Sequence, residues 1–383
     1  MAEKRRVGIV TSGGDAPGMN AAIRAVFRCV KERSADHEIV LFKNGFNGLA
    51  GRLDMDTDVD VQRKALRDIL NRGGTTIGTG RVAQLLPVSP DDPDAEAKHR
   101  ARKAFLDVAA VNLYQLRVDG LVVIGGDGSF KGGQAIAHGY RQSFERPLRV
   151  VGIPATIDND IYGTDYTIGF DTALTNTVDA LRKIRDTVES HRRAIILEVM
   201  GNSTGWIALN AGIAGGASTI CIPEIAETYD PERIVQCCIA ALRGDYRYFI
   251  IVMAEGVKEA IGDPDFGNHL CQRIEQSDTV RQLLGKKMNA RYNVIGHLAR
   301  GGTPTAFDNV LAARFAQAAV RALFEEVPLP GDGDGDVAVA LQGRDVVHTH
   351  LTECVAHGNR YITPDDELYR LSQALTVQPD QGY

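Results

Sequence analysis

An α/β fold of two domains is what this sequence predicts, and three features predict it. Short β-branched apolar runs recur along the chain, glycine clusters follow several of them directly, and the stretches between carry the apolar period of helices. The 383 residues exceed one ordinary core, which sets the expected domain count at two. A content of 44% hydrophobic and 24% charged residues is that of a soluble globular protein, and the net charge of −6 argues against a nucleic-acid surface.

The elements follow in chain order. Residues 7–10 form a first strand, too short for the apolar core of a signal peptide, and lead through Thr11-Ser-Gly-Gly-Asp-Ala-Pro-Gly-Met-Asn20 into a helix over 21–31. A strand over 38–42, a helix around 61–71, a glycine-rich loop over 73–81 and a proline- and aspartate-rich loop over 87–94 precede a long helix, 95–115. The clearest buried strand, 120–124, runs straight into Gly125-Gly-Asp-Gly-Ser129 and another helix. A strand over 150–153 stops at Pro154, which lacks a backbone donor. Leu174, Val178, Leu181, Ile184 and Val188 stripe one long helix over 171–189. Strands over 194–199, 219–222, 248–253 and 292–295 then alternate with helices after Gly205, from Pro231 and over 266–276, and a helix over 305–324 precedes a strand over 337–341.

No apolar run reaches the length of a membrane span. The six cysteines show no Cys-x-x-Cys spacing and no paired Cys/His set, so they read as reduced core thiols of a cytoplasmic protein. Gly331-Asp-Gly-Asp-Gly-Asp336 imitates the front of a calcium loop, but Val337 and Gly343 stand where the turn glycine and bidentate glutamate belong, which leaves a solvated linker.

Three stretches carry chemistry. Pro154-Ala-Thr-Ile-Asp-Asn-Asp160 sets two carboxylates just past a strand's carboxyl end, where open α/β sheets collect ligands; read alone, it is equally a turn bonded to its own backbone. Gly125-Gly-Asp-Gly-Ser129 offers unhindered N–H groups at a helix start and one carboxylate, Asp127, suited to Mg²⁺ through water. The first cluster has P-loop-like spacing but Met19 and Asn20 where lysine and a hydroxyl residue belong, which argues against a P-loop nucleoside triphosphatase.

Taken in chain order, Thr11-Ser-Gly-Gly-Asp-Ala-Pro-Gly-Met-Asn20, Gly125-Gly-Asp-Gly-Ser129 and Thr156-Ile-Asp-Asn-Asp160 resemble the 6-phosphofructokinase family, in its bacterial ATP-dependent form. The likeness continues through Gly163-Thr-Asp-Tyr-Thr-Ile-Gly-Phe170, Arg185-Asp-Thr187, Glu198-Val-Met-Gly201, Ala214-Gly-Gly216 and Gly296-His-Leu-Ala-Arg-Gly-Gly302. The resemblance implies two doubly wound three-layer α/β/α domains with the active site in the cleft between them: residues 1–169 plus about 299–349 binding nucleotide, and 170–298 plus about 350–383 binding sugar phosphate. It implies Asp158 as the base at the C1 hydroxyl of fructose 6-phosphate, Asp160 in support, and Mg²⁺ on Asp127. Gly14, Arg81, Gly126, Gly128, Ser129 and Gly132 match ATP-phosphate positions, with Arg81 placed for the charge that develops on the transferred group. Thr156, Met200, Gly201, Glu255, His297 and Arg300 match the sugar-phosphate site. Arg193 and Arg291 match residues lent by a neighbouring subunit, which implies a homo-oligomer, a tetramer with shared active sites, with no nucleic-acid or membrane partner.

The chain departs from the family pattern in three places. Gly128 matches the glycine of ATP users, whereas Ala155 matches neither their glycine nor the lysine of pyrophosphate users. Asn202 stands where bacterial ATP-dependent members carry arginine, and Lys131 is a candidate to compensate. Arg24, Arg28 and Arg185 match effector-binding residues, yet Ser218 and Tyr246 replace the glutamate and lysine of that site. Two alternatives stay open: a pyrophosphate-dependent or other sugar-phosphate phosphotransferase, for example one acting on sedoheptulose 7-phosphate, and a non-catalytic sugar-phosphate sensor.

Overall fold

The computed structural model describes residues 4–51, 53–85, 88–89, 91–146, 148–326 and 335–379. Among these the strands are β1 (Arg6–Thr11), β2 (Glu38–Phe42), β3 (Met55–Asp56), β4 (Gly120–Gly125), β5 (Arg149–Pro154), β6 (Ala194–Val199), β7 (Thr219–Cys221), β8 (Phe249–Ala254), β9 (Ala290–Val294), β10 (Val337–Gln342) and β11 (Asp345–His350). The chain divides into two compact units, one of Met1–Ile157, Ile161–Asp171 and Arg300–Asn359, the other of Asp158–Asp160, Thr172–Ala299 and Arg360–Tyr383.

The first unit is built on a sheet of order β11-β10-β5-β4-β1-β2-β3, parallel from β10 to β2 with an antiparallel strand at each edge. Its central strands carry no alternation because both faces are covered, and all six residues of β4 are buried. Leu121 and Val123 join Phe105, Leu113, Phe130 and Tyr140 of helices Ala95–Gln115 and Asp127–Ser143 in one core. On the other face Gly120 abuts Leu323 of helix Ala306–Leu323 so closely that a Cβ there would lie 2.6 Å from it. The α/β expectation holds for this unit.

The second unit holds a parallel sheet of order β7-β8-β6-β9. Ile196, Ile251 and Met253 pack with Ile234 and Cys238 of helix Pro231–Arg243 and Phe266 and Ile274 of helix Phe266–Gln276. Against the other face lies helix Trp206–Gly215, whose Gly215 fits beneath Leu181 of helix Phe170–His191. All six cysteines are free thiols, five of them buried, and burial pushes the Cys238 thiol up to about 12. No helix among the described residues is long and apolar enough to cross a membrane.

Several elements differ from expectation. The helix expected around 61–71 ends at Ala65, because the chain beyond it is drawn to the first glycine loop, where Asn20 donates to the carbonyls of Arg72 and Gly73 at 3.0 and 3.2 Å. Short β3 and the strand β11 were not expected, since each forms only by pairing antiparallel with a longer neighbour. Of the calcium-like repeat, 331–334 lie outside the described residues. Asp336 is no solvated linker residue: its buried carboxylate accepts from Arg141 at 2.6 Å and from the backbone N–H of Val150 at 2.8 Å, tying β10 to β5.

Candidate active site

In the first unit the three motif loops leave the carboxyl ends of adjacent parallel strands. Thr11 of β1 pairs with Ile124 of β4, and Gly125 of β4 pairs with Pro154 of β5. The chain turns one way from β1 to β2 and the other way to β4, so the crevice between β1 and β4 is the switch point of the sheet, where such folds bind ligands.

The loops are locked across that crevice. Ser12 donates its N–H to the Ile124 carbonyl at 3.1 Å, and the Ser129 hydroxyl donates to the Ser12 carbonyl at 2.8 Å. A Cβ on Gly125 would lie 2.3 Å from Ser129 Oγ and 2.5 Å from the Ser12 carbonyl, so glycine alone permits this closure. Ser129 itself is 2% exposed and spends its N–H on Gly126, so its part is to hold the two loops together. Gly132 likewise has a packing reason, since a Cβ there would meet the Phe46 ring at 2.7 Å.

Gly126 and Gly128 leave the start of helix Asp127–Ser143 open. No side chain caps that helix, and a Cβ on Gly128 would meet nothing within 4 Å. The positive end of a 17-residue helix dipole therefore faces unfilled space beside Asp127, a setting that suits phosphate. Asp127 pairs with Lys131 at 2.6 Å, with both side chains partly exposed, so the pair is cheap to open and leaves a carboxylate fit for Mg²⁺ bound alongside phosphate and water. The Lys131 ammonium is thus engaged at Asp127 in this structure.

Arg300 reaches the first loop, where its Nη1 donates to the Asp15 carbonyl at 2.9 Å; a Cβ on Gly14 would lie 2.9 Å from the same nitrogen. The 73–81 loop is zipped to this loop by Gly13 N–H to the Gly80 carbonyl at 3.2 Å and Thr79 Oγ1 to the Gly13 carbonyl at 3.0 Å, which sets exposed Arg81 beside it. Thr156 is partly buried, and its carbonyl accepts from Thr167 Oγ1 at 2.6 Å.

Asp158 and Asp160 belong by their contacts to the second unit. They flank buried Asn159, whose φ of 53° is the left-handed conformation that asparagine tolerates. Arg360 holds this turn: its N–H donates to the Asp160 carbonyl at 2.7 Å and its Nη2 to the Asn159 carbonyl at 3.2 Å. The guanidinium lies 4.4 Å from the centre of the Trp206 ring, and Trp206 Nε1 donates to the Arg360 carbonyl at 2.9 Å. Sequence reasoning missed both residues; the only signal was that Trp206 is the single tryptophan and follows a glycine at a helix start.

Adjacent β8, β6 and β9 end in the predicted sugar-phosphate residues. Met200 and Gly201 follow β6, Glu255 follows β8, and exposed His297 sits in the turn Gly296–Arg300 after β9. Gly201 donates its N–H to Glu255 Oε1 at 3.3 Å and, at a φ of 135°, comes so near Thr204 that a Cβ would lie 2.5 Å from its carbonyl. Arg193 and Arg291 are not brought to this edge. Arg193 precedes β6 and Arg291 is in register with Ile195, so both lie toward the other end of the sheet. The six residues of β6 separate Arg193 from Met200, roughly 20 Å of extended chain.

A family model described as Phosphofructokinase matches residues 6–323. The chain belongs to the phosphofructokinase family. Among relatives, it is 38% identical over 374 residues to the ATP-dependent 6-phosphofructokinase of Bacillus pumilus, covering 97% of this chain and 100% of that one. Among solved structures it resembles phosphofructokinase from Saccharomyces cerevisiae with a TM-score of 0.75 and 30% identity, matching 92% of this chain but spanning only 45% of the yeast chain. A pyrophosphate-dependent phosphofructokinase from Marinobacter aquaeolei shares the fold at a TM-score of 0.73 with 20% identity, over 97% of this chain and 92% of that one.

Proposed function

We propose that the protein is an ATP-dependent 6-phosphofructokinase, which transfers the γ-phosphoryl group of ATP to the C1 hydroxyl of fructose 6-phosphate and releases fructose 1,6-bisphosphate and ADP. The observation that carries this reading is the alignment of three loops at the carboxyl ends of β1, β4 and β5, one ending in an open helix start with a single carboxylate and one in the carboxylate pair.

Asp158 orients the C1 hydroxyl and takes its proton as that oxygen bonds to the γ-phosphorus and the bond to the β-phosphate oxygen breaks. Asp160 supports the turn, Thr156 lies beside the acceptor hydroxyl, and Arg81 meets charge on the transferred phosphoryl group. Asp127 would hold Mg²⁺ with the nucleotide phosphates, supplying charge neutralisation there. Gly126 and Gly128 let backbone N–H groups approach phosphate, and Gly14 leaves the space that the Arg300 guanidinium occupies. Met200, Gly201, Glu255, His297 and Arg300 bind the sugar phosphate, while Arg193 and Arg291 serve the 6-phosphate of a neighbouring copy in a cytoplasmic homo-oligomer, a tetramer.

The open space at Gly128 favours ATP as donor, since it leaves room where an aspartate would intrude. Ala155 is 1% exposed and donates its N–H to the Gly125 carbonyl at 3.0 Å, so its methyl group is a small neutral part of the loop's floor. Phosphorus NMR of the purified protein with fructose 6-phosphate and Mg²⁺, given ATP in one tube and pyrophosphate in another, tests the reading. Bisphosphate with ATP alone is the expected result; product only with pyrophosphate, or in neither tube, would refute it.

A further inference from the structure

The carboxyl edge of the second unit's sheet borders a cavity of about 540 Å³ lined by Asn202, Glu255, Lys258, Glu259, Gly262 and Pro264. Two of its charged lining groups are carboxylates, and Lys258 is the one cation among the six. Lys258 is therefore the one lining group that can attract a phosphate ester entering this space.

Lys258 is not an ordinary surface lysine. It sits on the short helix Gly256–Ile261, and its Nζ donates to Glu198 Oε1 at 2.8 Å; the Glu198 side chain is 4% exposed and that of Lys258 28%. The Tyr292 hydroxyl donates to the other oxygen, Glu198 Oε2. Burial and the neighbouring carboxylate push the Tyr292 hydroxyl well above its usual range, so it stays a donor. Glu198 is therefore satisfied on both oxygens and tethers the ammonium at the cavity wall. An ammonium carries three donors, and Glu198 takes one of them.

We infer that Lys258 is an anion-binding residue of the acceptor site, its ammonium held by Glu198, which Tyr292 anchors in turn, to receive a phosphate oxygen of the sugar phosphate. This rests on the kinase reading above, which supplies the acceptor. Preorganisation is the physical gain: a tethered lysine loses little rotamer freedom when the ligand arrives. The cation thus comes from the helix after β8, and Asn202 lines the same space without a charge of its own.

Steady-state kinetics and calorimetric titration of fructose 6-phosphate test it on Lys258→Met, Lys258→Arg and the Glu198→Gln/Lys258→Met double variant, which removes the buried carboxylate's charge should the single variant fail to fold. Loss of a charge-assisted bond to phosphate predicts a rise of about ten- to hundredfold in KM and in Kd for fructose 6-phosphate. The KM for ATP should hold within about twofold, kcat should be largely kept, and Lys258→Arg should recover most of the affinity. An unchanged KM for fructose 6-phosphate with a lowered thermal midpoint would make the triad a structural pair and overturn the inference. So would equal rises in both Michaelis constants. A wild-type protein that binds fructose 6-phosphate but forms no bisphosphate would refute the kinase reading, and Lys258 would then stand or fall by the same binding titration.

Discussion

Asp158 is the residue on which the proposed chemistry depends most. Its replacement by Asn keeps the turn's shape and removes the proton acceptor, so Asp158→Asn should lower kcat by about 10²- to 10⁴-fold with the KM values little changed. Phosphoryl transfer through a loose transition state needs less from a base than acyl transfer does, which places the expected loss toward the lower end. The glycines of the second motif separate two roles that the sequence alone cannot. Gly128 faces open space, so Gly128→Asp should fold normally, with an unchanged thermal midpoint, and raise the KM for ATP by at least tenfold. Gly125 sits against Ser129 Oγ and the Ser12 carbonyl, so Gly125→Ala should instead destabilise the fold by about 1–3 kcal/mol in denaturant titration, the usual cost of overpacking.

At the scale of elements, the carboxylate turn is held by a segment more than 190 residues further along the chain. Arg360 donates to two carbonyls of the turn and lies over Trp206, so in the proposed reaction it would position the base without touching the reacting atoms. Arg360→Ala should lower kcat about tenfold and leave the KM for ATP unchanged, and Arg360→Lys should restore little, because a single point charge cannot both bond a carbonyl and lie flat on an indole. A merely structural residue would lower the thermal midpoint without this split. The same long-range logic shortened the helix expected around 61–71. Its local periodicity ran on, but Asn20 captured the carbonyls of Arg72 and Gly73 and turned the chain toward β1.

For the whole molecule, the placement of Arg193 and Arg291 toward the far end of β6 and β9 supports their service in a neighbouring copy's site. Co-purified hybrids of Asp158→Asn and Arg193→Ala chains should then regain activity that neither homomer has, since some sites in the hybrid combine an intact base with an intact lent arginine. Hybrids no more active than the two homomers would place Arg193 in its own chain's site or in none. Much of this architecture was legible locally. Helices Ala95–Gln115 and Phe266–Gln276, and strands β2 and β6, fall where period and composition put them, because buried parallel strands and amphipathic helices write their environment into consecutive residues. The glycine and aspartate motifs were legible for a related reason: phosphate approached by backbone demands residues without side chains at set spacings. Arg360, Trp206 and the Glu198–Lys258–Tyr292 triad were not legible, since each works through partners tens to hundreds of residues away and leaves no local period. Fold class, family and the chemistry of the motif loops thus follow from residues adjacent in the chain. Which strands lie side by side, which glycines face ligand space and which face a neighbouring side chain, and what holds the carboxylate turn are settled only by tertiary packing, because they depend on distances that no spacing along the sequence encodes.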